Sequence, residues 1–329
     1  MLKRNTLQNF KRFEAKYSNT GHSVIESGFD SCNINTKNTV LGVWDSKIGT
    51  RDCSCRSKIK PEILLASSII SYDTAIVHTS DFREINERLE HLAAFHNFSS
   101  VIGLGINSVT GEVLDINLLH ASQQGFLENL LRNQTSIGCR GKKSEEFFLR
   151  YGFEPSNLFI TGCPALQLIE ARRREIPKKV SRILVNGALF NRLDLIESLE
   201  HEGKEILIIP QTVDSYNNAL KVQKSYSGIE IFTPGSYRAW VNKLKSWRPD
   251  ISIGTRLHGN IAALSAGIPA ILMSGDVRTQ EIAQVAKLPF FTDIVPIDSA
   301  IAKYRSTSLQ DIEYQKFILR SHLIDCVDS

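Results

Sequence analysis

The chain has 329 residues, enough for two domains of ordinary size. Its 42% hydrophobic and 22% charged content, with 20 Gly and 10 Pro, is that of a globular protein and excludes a collagenous, fibrous or wholly disordered chain. The 39 basic and 35 acidic residues leave a net charge of +4, and they are scattered, so no phosphate-tracking nucleic-acid surface is indicated.

No stretch approaches the roughly 18 to 20 apolar residues a transmembrane helix needs. The opening Met1-Leu2-Lys3-Arg4-Asn5 is not followed by the apolar run of a signal peptide, so a soluble, cytoplasmic protein is expected. The 6 cysteines are too sparse for a disulfide framework, and Cys53-Ser54-Cys55 lacks zinc-site spacing. No carboxylate-rich cluster stands out, and no catalytic metal or cofactor is expected.

In chain order, β-rich runs fall at Thr39–Val43, Ala75–His78, Val101–Leu104, Ser136–Gly138 and Leu158–Thr161. Helical periodicity lies between them, at Phe82–Phe95 and Ser122–Leu131. The alternation is cleaner afterwards. Strands are predicted at Arg182–Val185, Glu205–Ile209, Glu230–Phe232, Asp250–Ile253 and Ala270–Met273. Helices are predicted at Arg192–His201, Tyr237–Ser246, Gly259–Ala266 and Thr279–Ala286, with a terminal helix over Ile312–Ile324. Strands separated by helices imply parallel sheets with right-handed crossovers, hence two Rossmann-like α/β domains. The charged segment Glu170–Lys179 is the expected hinge, dividing the chain into 1–174 and 175–329.

In such sheets ligands bind beyond the carboxyl ends of the strands, where loops turn into helices. The strongest candidate is Ile251-Ser252-Ile253-Gly254-Thr255-Arg256-Leu257-His258-Gly259-Asn260, a strand end followed by a helix of small residues. Free amides and the helix dipole favour an anion there, and Arg256 adds a guanidinium that can grip phosphate or carboxylate with two donors. His258 could donate to that anion or exchange a proton near neutral pH. A capping His beside a surface Arg is the plainer account of the same spacing.

A second strand–Arg–helix turn is Ser136-Ile137-Gly138-Cys139-Arg140-Gly141-Lys142-Lys143-Ser144, with Arg140 expected at a strand end of the other domain and pointing toward the interdomain cleft. Lys142, Lys143 and Ser144 could add donors, although lysines at a helix start are commonly just solvated. Further turns lie at Asn19-Thr20-Gly21-His22, Gly103-Leu104-Gly105, Thr161-Gly162-Cys163-Pro164 and Ser274-Gly275-Asp276-Val277-Arg278. Cys163 has no His or Asp at a supporting spacing and reads as a packed thiol. None of these is a GxGxxG fingerprint or P-loop, so a nicotinamide dehydrogenase or P-loop NTPase lacks its defining phosphate loop.

Taken in order, Gly103–Ser108, Cys139–Ser144, Gly162–Ala165, Thr255–Gly259, Ala266–Ala270 and Asp276–Arg278 resemble the polysaccharide pyruvyl transferase family. The resemblance implies two Rossmann-like domains facing across a cleft, as in B-type glycosyltransferases. It implies phosphoenolpyruvate as donor and a saccharide acceptor, which can be lipid-linked at the inner face of the membrane, with a pyruvyl ketal as product. It also implies that Arg140, Arg256 and His258 bind the donor, that Leu257 and Gly259 line its pocket, and that His258 is the acid. Asn19, Gly21, Gly105, Gly162, Asn260, Ser274, Asp276 and Arg278 are candidate cleft residues, with Asp276 a candidate base. Two features depart from the family pattern: the polar segment Asn5–Lys16 before Asn19, and Arg278 where Lys is usual. Two other readings share these residues: a nucleotide-sugar glycosyltransferase of the same fold, and a non-catalytic anion-binding relative.

Overall fold

The computed structural model describes residues 115–169, 175–273 and 276–306 continuously, together with 39–42, 62–66, 70–71, 86–87, 89–94, 98–107, 316–321 and residues 25, 27, 30 and 313. Asn19, Gly21, Ser274, the strand expected at Ala75–His78 and residues 170–174 of the segment Glu170–Lys179 lie outside these residues.

The chain divides into two compact units. One comprises Met1–Ser31, Ala165–Ser274 and Lys287–Ile312; the other comprises Cys32–Pro164, Gly275–Ala286 and Glu313–Ser329. This differs from two contiguous halves meeting at 174/175. The first of the later changes of unit falls between Pro164 and Ala165, and two short later segments, Gly275–Ala286 and Glu313–Ser329, return to the unit built mainly from the first half.

In that first unit, strands β1 (Thr39–Gly42), β2 (Glu62–Leu65), β3 (Ile70–Ser71), β4 (Phe98–Leu104) and β5 (Ile106–Asn107) precede helix α1 (Ala121–Arg132). Strand β6 (Ser136–Cys139), helix α2 (Lys142–Tyr151) and strand β7 (Leu158–Ile160) follow. The main sheet runs β1-β2-β4-β6-β7, every pairing parallel, with β3 and β5 forming a separate parallel pair. Strand β4 is buried along nearly its whole length because both faces of a parallel sheet are covered. Val101, Ile102 and Leu104 are buried with Phe126, Leu127 and Leu130 of α1 and Phe147 and Phe148 of α2. Gly152, in the left-handed conformation at φ +107°, ends α2.

The second unit has strands β8 (Arg182–Asn186), β9 (Glu205–Ile208), β10 (Ile229–Ile231), β11 (Ile251–Gly254), β12 (Ala270–Met273) and β13 (Phe290–Phe291). Its helices are α3 (Leu193–His201), α4 (Val213–Ser225), α5 (Tyr237–Trp247), α6 (Leu257–Ser265) and α8 (Ile297–Ser306). Helix α7 (Val277–Val285) lies between β12 and β13 in sequence but belongs to the first unit. The strand order is β10-β9-β8-β11-β12-β13, all parallel. Counted from β8, this is the 3-2-1-4-5-6 order of the doubly wound fold. The chain builds outward from β8 in one direction, then returns to β8 and builds from β11 in the other.

The core of this unit joins Ile183, Val185, Ile206, Ile208, Ile251, Ile253 and Ile271 of the sheet to Leu189, Ile196, Leu199, Ala219, Val222 and Tyr304 outside it. β-branched residues dominate the sheet because they fit its pleated, doubly covered surface. Helix α4 starts on a Thr212–Ser215 capping box, and α5 on Ser236, whose hydroxyl accepts from the Ala239 amide at 3.1 Å. Helix α6 is buried on nearly every side, which is why it is built largely from small and apolar residues.

Candidate functional site

The reversal of strand order between β8 and β11 is a topological switch point, the place where an open parallel sheet leaves a crevice at its carboxyl edge. Asn186 ends β8, Gly254 ends β11, and the two pair in register. Gly187, Thr255, Arg256 and His258 follow these two strand ends.

A polar lock closes the floor of this turn. The buried Asn186 side chain donates to Asn260 Oδ1 at 2.9 Å and to Ser252 Oγ at 3.3 Å, and its Oδ1 accepts from the Arg256 amide at 3.2 Å. Asn260 returns a bond to the Gly254 carbonyl at 3.1 Å, and Ser252 Oγ donates to Asn260 Oδ1 at 2.9 Å. Asn186, Ser252 and Asn260 are all buried, at 0%, 0% and 2% exposure, so each polar atom must be satisfied from inside. There is no room for more: a Cβ on Gly254 would lie 2.1 Å from Asn186 Oδ1, and one on Gly259 would lie 2.8 Å from both Asn186 and Gln211. Gly187 adopts φ +69° so that the chain can leave β8 beside Thr255, whose hydroxyl accepts from the Ala188 amide at 2.8 Å.

Above this floor α6 begins. Its first intrahelical bond runs from the Asn260 amide to the Arg256 carbonyl, so the amides of Leu257, His258 and Gly259 precede the helical ladder. The Arg256 side chain is exposed and makes no cap to its own helix, His258 is half-buried, and Leu257 is buried. A fixed backbone, a helix N-terminus, a solvent-facing guanidinium and an imidazole are the parts an anion-binding site needs.

The other strand–Arg–helix turn is built to a different plan. Arg140 follows β6 but is only 2% exposed, and its Nε donates to the Gly103 carbonyl at 2.7 Å. Its Nη2 is buried without a hydrogen-bond partner among the described residues. Helix α2 has no side-chain cap of its own, since Gly141 stands at that position. The carboxylate of Glu281, from α7, takes it: Oε1 accepts from the Ser144 amide and Oε2 from the Ser144 hydroxyl, both at 2.7 Å. Ser144 Oγ in turn accepts from the Ile106 amide at 3.2 Å. A Cβ at residue 141 would lie 2.6 Å from Cβ of Glu281, so glycine is what lets α7 approach.

Ser144 is therefore committed within the fold, and the donor role expected for it is corrected: an internal carboxylate has taken both its amide and its hydroxyl. Lys142 pairs with Glu145 at the surface. Asp276 is the N-cap of α7, with Oδ1 accepting from the Thr279 amide at 3.0 Å and from Arg278 Nε at 3.1 Å. Gly105 and Gly162 are buried at the ends of strands in the same unit. Cys139 and Cys163 are buried, and burial pushes the Cys139 thiol far above its ordinary value.

A family model for polysaccharide pyruvyl transferases matches residues 52–277, most of the chain. The chain belongs to the polysaccharide pyruvyl transferase family. Membership makes it a transferase of polysaccharide pyruvylation, and the matched span contains both turns described above. No curated protein matches it. Similar solved structures include the UDP-GlcNAc 2-epimerase of Methanocaldococcus jannaschii, 12% identical, over 79% of this chain and 91% of that chain, with a TM-score of 0.44. The UDP-N-acetylglucosamine 2-epimerase of Rickettsia bellii is 9% identical over 81% of this chain and 88% of that one, with a TM-score of 0.48.

In this pyruvyl transferase, Arg256, Leu257, His258, Gly259 and Asn260 stand together at the switch point of one unit, while Arg140, Gly105, Gly162, Asp276 and Arg278 stand in the other. Sequence reasoning missed Asn186 and Glu281, and it included Ser252 in the motif without reading its bonds to Asn186 and Asn260. The Asn186-Gly187 pair directly after a strand was a readable turn signal. Glu281 carries no comparable signal, because it lies 137 residues from the Ser144 it binds.

Proposed function

We propose that the transferase moves the pyruvyl group of phosphoenolpyruvate onto two hydroxyls of a saccharide as a cyclic ketal, releasing inorganic phosphate. The observation that supports this most is the Arg256–His258 turn at the switch point, anchored through Asn186 to the neighbouring strand. Phosphoenolpyruvate carries about three negative charges, which suits a guanidinium beside a helix N-terminus. Arg256 is assigned to its phosphate or carboxylate, Leu257 and Gly259 to the pocket wall, and Arg140 to a further favourable charge.

The chemistry asks for one acid and a stabilised leaving group. One acceptor hydroxyl adds to C2 and gives up its proton, while a proton is delivered to C3; His258 as imidazolium is the group assigned to deliver it, and the proton released by the hydroxyl restores it. The C2–O bond to phosphate then breaks, and Arg256 stabilises the departing charge. The second hydroxyl closes on the oxocarbenium-like C2 and loses its proton, which completes the ketal.

Calorimetric titration of the protein and of Arg256→Ala with phosphoenolpyruvate, inorganic phosphate and a set of nucleotide sugars tests the reading. Phosphoenolpyruvate binding that is lost in Arg256→Ala is the expected result. Binding of a nucleotide sugar with none of phosphoenolpyruvate would overturn it in favour of glycosyl transfer.

A further inference from the structure

Strand β8 ends in an Asn-Gly pair, and both residues meet the same arginine of the β11–α6 turn. Asn186 Oδ1 accepts from the Arg256 amide at 3.2 Å, and the Asn186 side chain is itself held by Ser252 and Asn260. Asn186 is fully buried, so water does not compete for these bonds. Gly187 meets the side chain. A Cβ on residue 187 would lie 2.8 Å from Arg256 Cγ, 2.9 Å from the Arg256 amide nitrogen and 2.2 Å from Thr255 Oγ1. The stem of Arg256 therefore starts across the backbone at Gly187, from the end of β11 toward the end of β8. All of these residues belong to one compact unit.

An Asn-Gly pair after a strand is also an ordinary turn, and a left-handed glycine answers a backbone need by itself. Gly203, which follows α3, shows that need alone: its φ is +67°, and nothing lies within 4 Å of a Cβ placed there. Gly187 has nearly the same φ, +69°, but the arginine turn crowds it. Backbone conformation explains a glycine at both positions. Only at Gly187 does the absent side chain also make room for a neighbour. Because β8 and β11 end in register at Asn186 and Gly254, a stem seated on Gly187 starts over the reversal of strand order.

We infer that Asn186 and Gly187 are positioning residues for Arg256: one fixes its amide and the other seats its stem, so that the exposed guanidinium is presented at the switch point before an anion arrives. Their role rests on the proposed use of Arg256 as the clamp for an anionic donor. Both act through Arg256 and are assigned no contact with the donor. The physical reason is preorganisation. A long side chain loses rotamer freedom when a ligand fixes it, and a stem already seated has less to lose. A two-donor grip also needs the plane of the guanidinium aimed, which a bare positive charge does not.

A double-mutant cycle separates this role from a merely structural one. Inorganic phosphate and phosphoenolpyruvate are titrated into the unaltered protein, Gly187→Ala, Arg256→Lys and the variant carrying both changes. Each single change is expected to weaken binding of the two anions about tenfold, the first by unseating the guanidinium and the second by removing its planar grip. Together they should also cost about tenfold, because a grip already misaimed has little left to lose. A structural defect unrelated to Arg256 would instead multiply to about a hundredfold, and that additivity overturns the inference. Gly203→Ala, strained alike but uncrowded, should bind as the unaltered protein does; a tenfold loss there would assign the Gly187 effect to backbone strain and refute its seating role. Unchanged binding by Gly187→Ala refutes it as well. Asn186→Ala, which removes the acceptor of the Arg256 amide, should give the same non-additive cycle, and it carries the test if Gly187→Ala does not fold. If neither variant folds, the pair serves the fold itself and the positioning role falls. Failure of the donor assignment shows separately: phosphate then binds and phosphoenolpyruvate does not, while the phosphate titrations still report the cycle. Silence toward both anions in the unaltered protein overturns both readings.

Discussion

Two turns in this molecule share one pattern, a parallel strand followed by Arg and then a helix, yet they are finished in opposite ways. At β6–α2 the guanidinium is buried and the helix start is taken by the Glu281 carboxylate. At β11–α6 the guanidinium is exposed, and the Arg256 amide is held from below by the neutral amide oxygen of Asn186. The sheets differ too: the described strands of the first run monotonically from β1 to β7, whereas the second reverses between β8 and β11. A helix N-terminus is thus a demand for negative charge that the fold can meet itself or leave to a ligand. Where the strand order reverses, the space for a ligand comes with the topology.

The comparison can be broken most sharply at the Asn186 lock. Gly254→Ala would drive a methyl into the Asn186 side chain, which cannot move without giving up its bonds to Ser252 and Asn260. A loss of about 3 kcal/mol in urea unfolding is expected, whereas Gly125→Ala, with nothing within 4 Å of the new Cβ and a place inside α1, should be neutral or slightly stabilising. Equal effects at the two positions would mean that the lock is soft.

At the same turn, His258→Gln is expected to keep donor binding while turnover falls about 10²-fold. Normal turnover would remove His258 from the chemistry. Arg256→Lys keeps the charge but loses the planar two-donor grip, and donor affinity should weaken by on the order of 1 to 3 kcal/mol. An unchanged dissociation constant would show that Arg256 supplies charge alone.

The smallest effect is a pH dependence at the other turn. Burial raises the Glu281 carboxyl above its ordinary value, so the folded state binds that proton more tightly than the unfolded state. Its contribution to stability is then fullest below about pH 4, the unfolded carboxylate range, and declines as pH rises through the higher folded value. Urea midpoints of the protein and of Glu281→Gln, compared from about pH 4 upward, should diverge with the unaltered protein losing ground. Parallel curves, or divergence the other way, would show that the carboxylate is better compensated than its burial implies.

Most strands of the second unit were legible because a buried parallel strand is a short apolar run between turns, and Arg182–Val185, Glu205–Ile209 and Ala270–Met273 match β8, β9 and β12 to within a residue. Helix α4 was missed: Val213–Ser225 buries only Ala219 and Val222 fully, too thin a stripe to read by period. Strand β2 was missed as well, since a run of four residues, Glu62–Leu65, is ambiguous by itself.

Local pattern by itself therefore determined the parallel α/β class, the family motifs and the two strand–Arg–helix turns, because hydrophobic period and glycine turns are written within a few residues of one another. Which turn faces solvent was decided only by tertiary structure. The strand order that puts Asn186 under Arg256 joins residues 70 positions apart, and the carboxylate that caps α2 arrives from 137 positions away. Pairings at such separations leave no periodic trace in the chain, since they are selected by which surfaces pack and which buried charges must be answered.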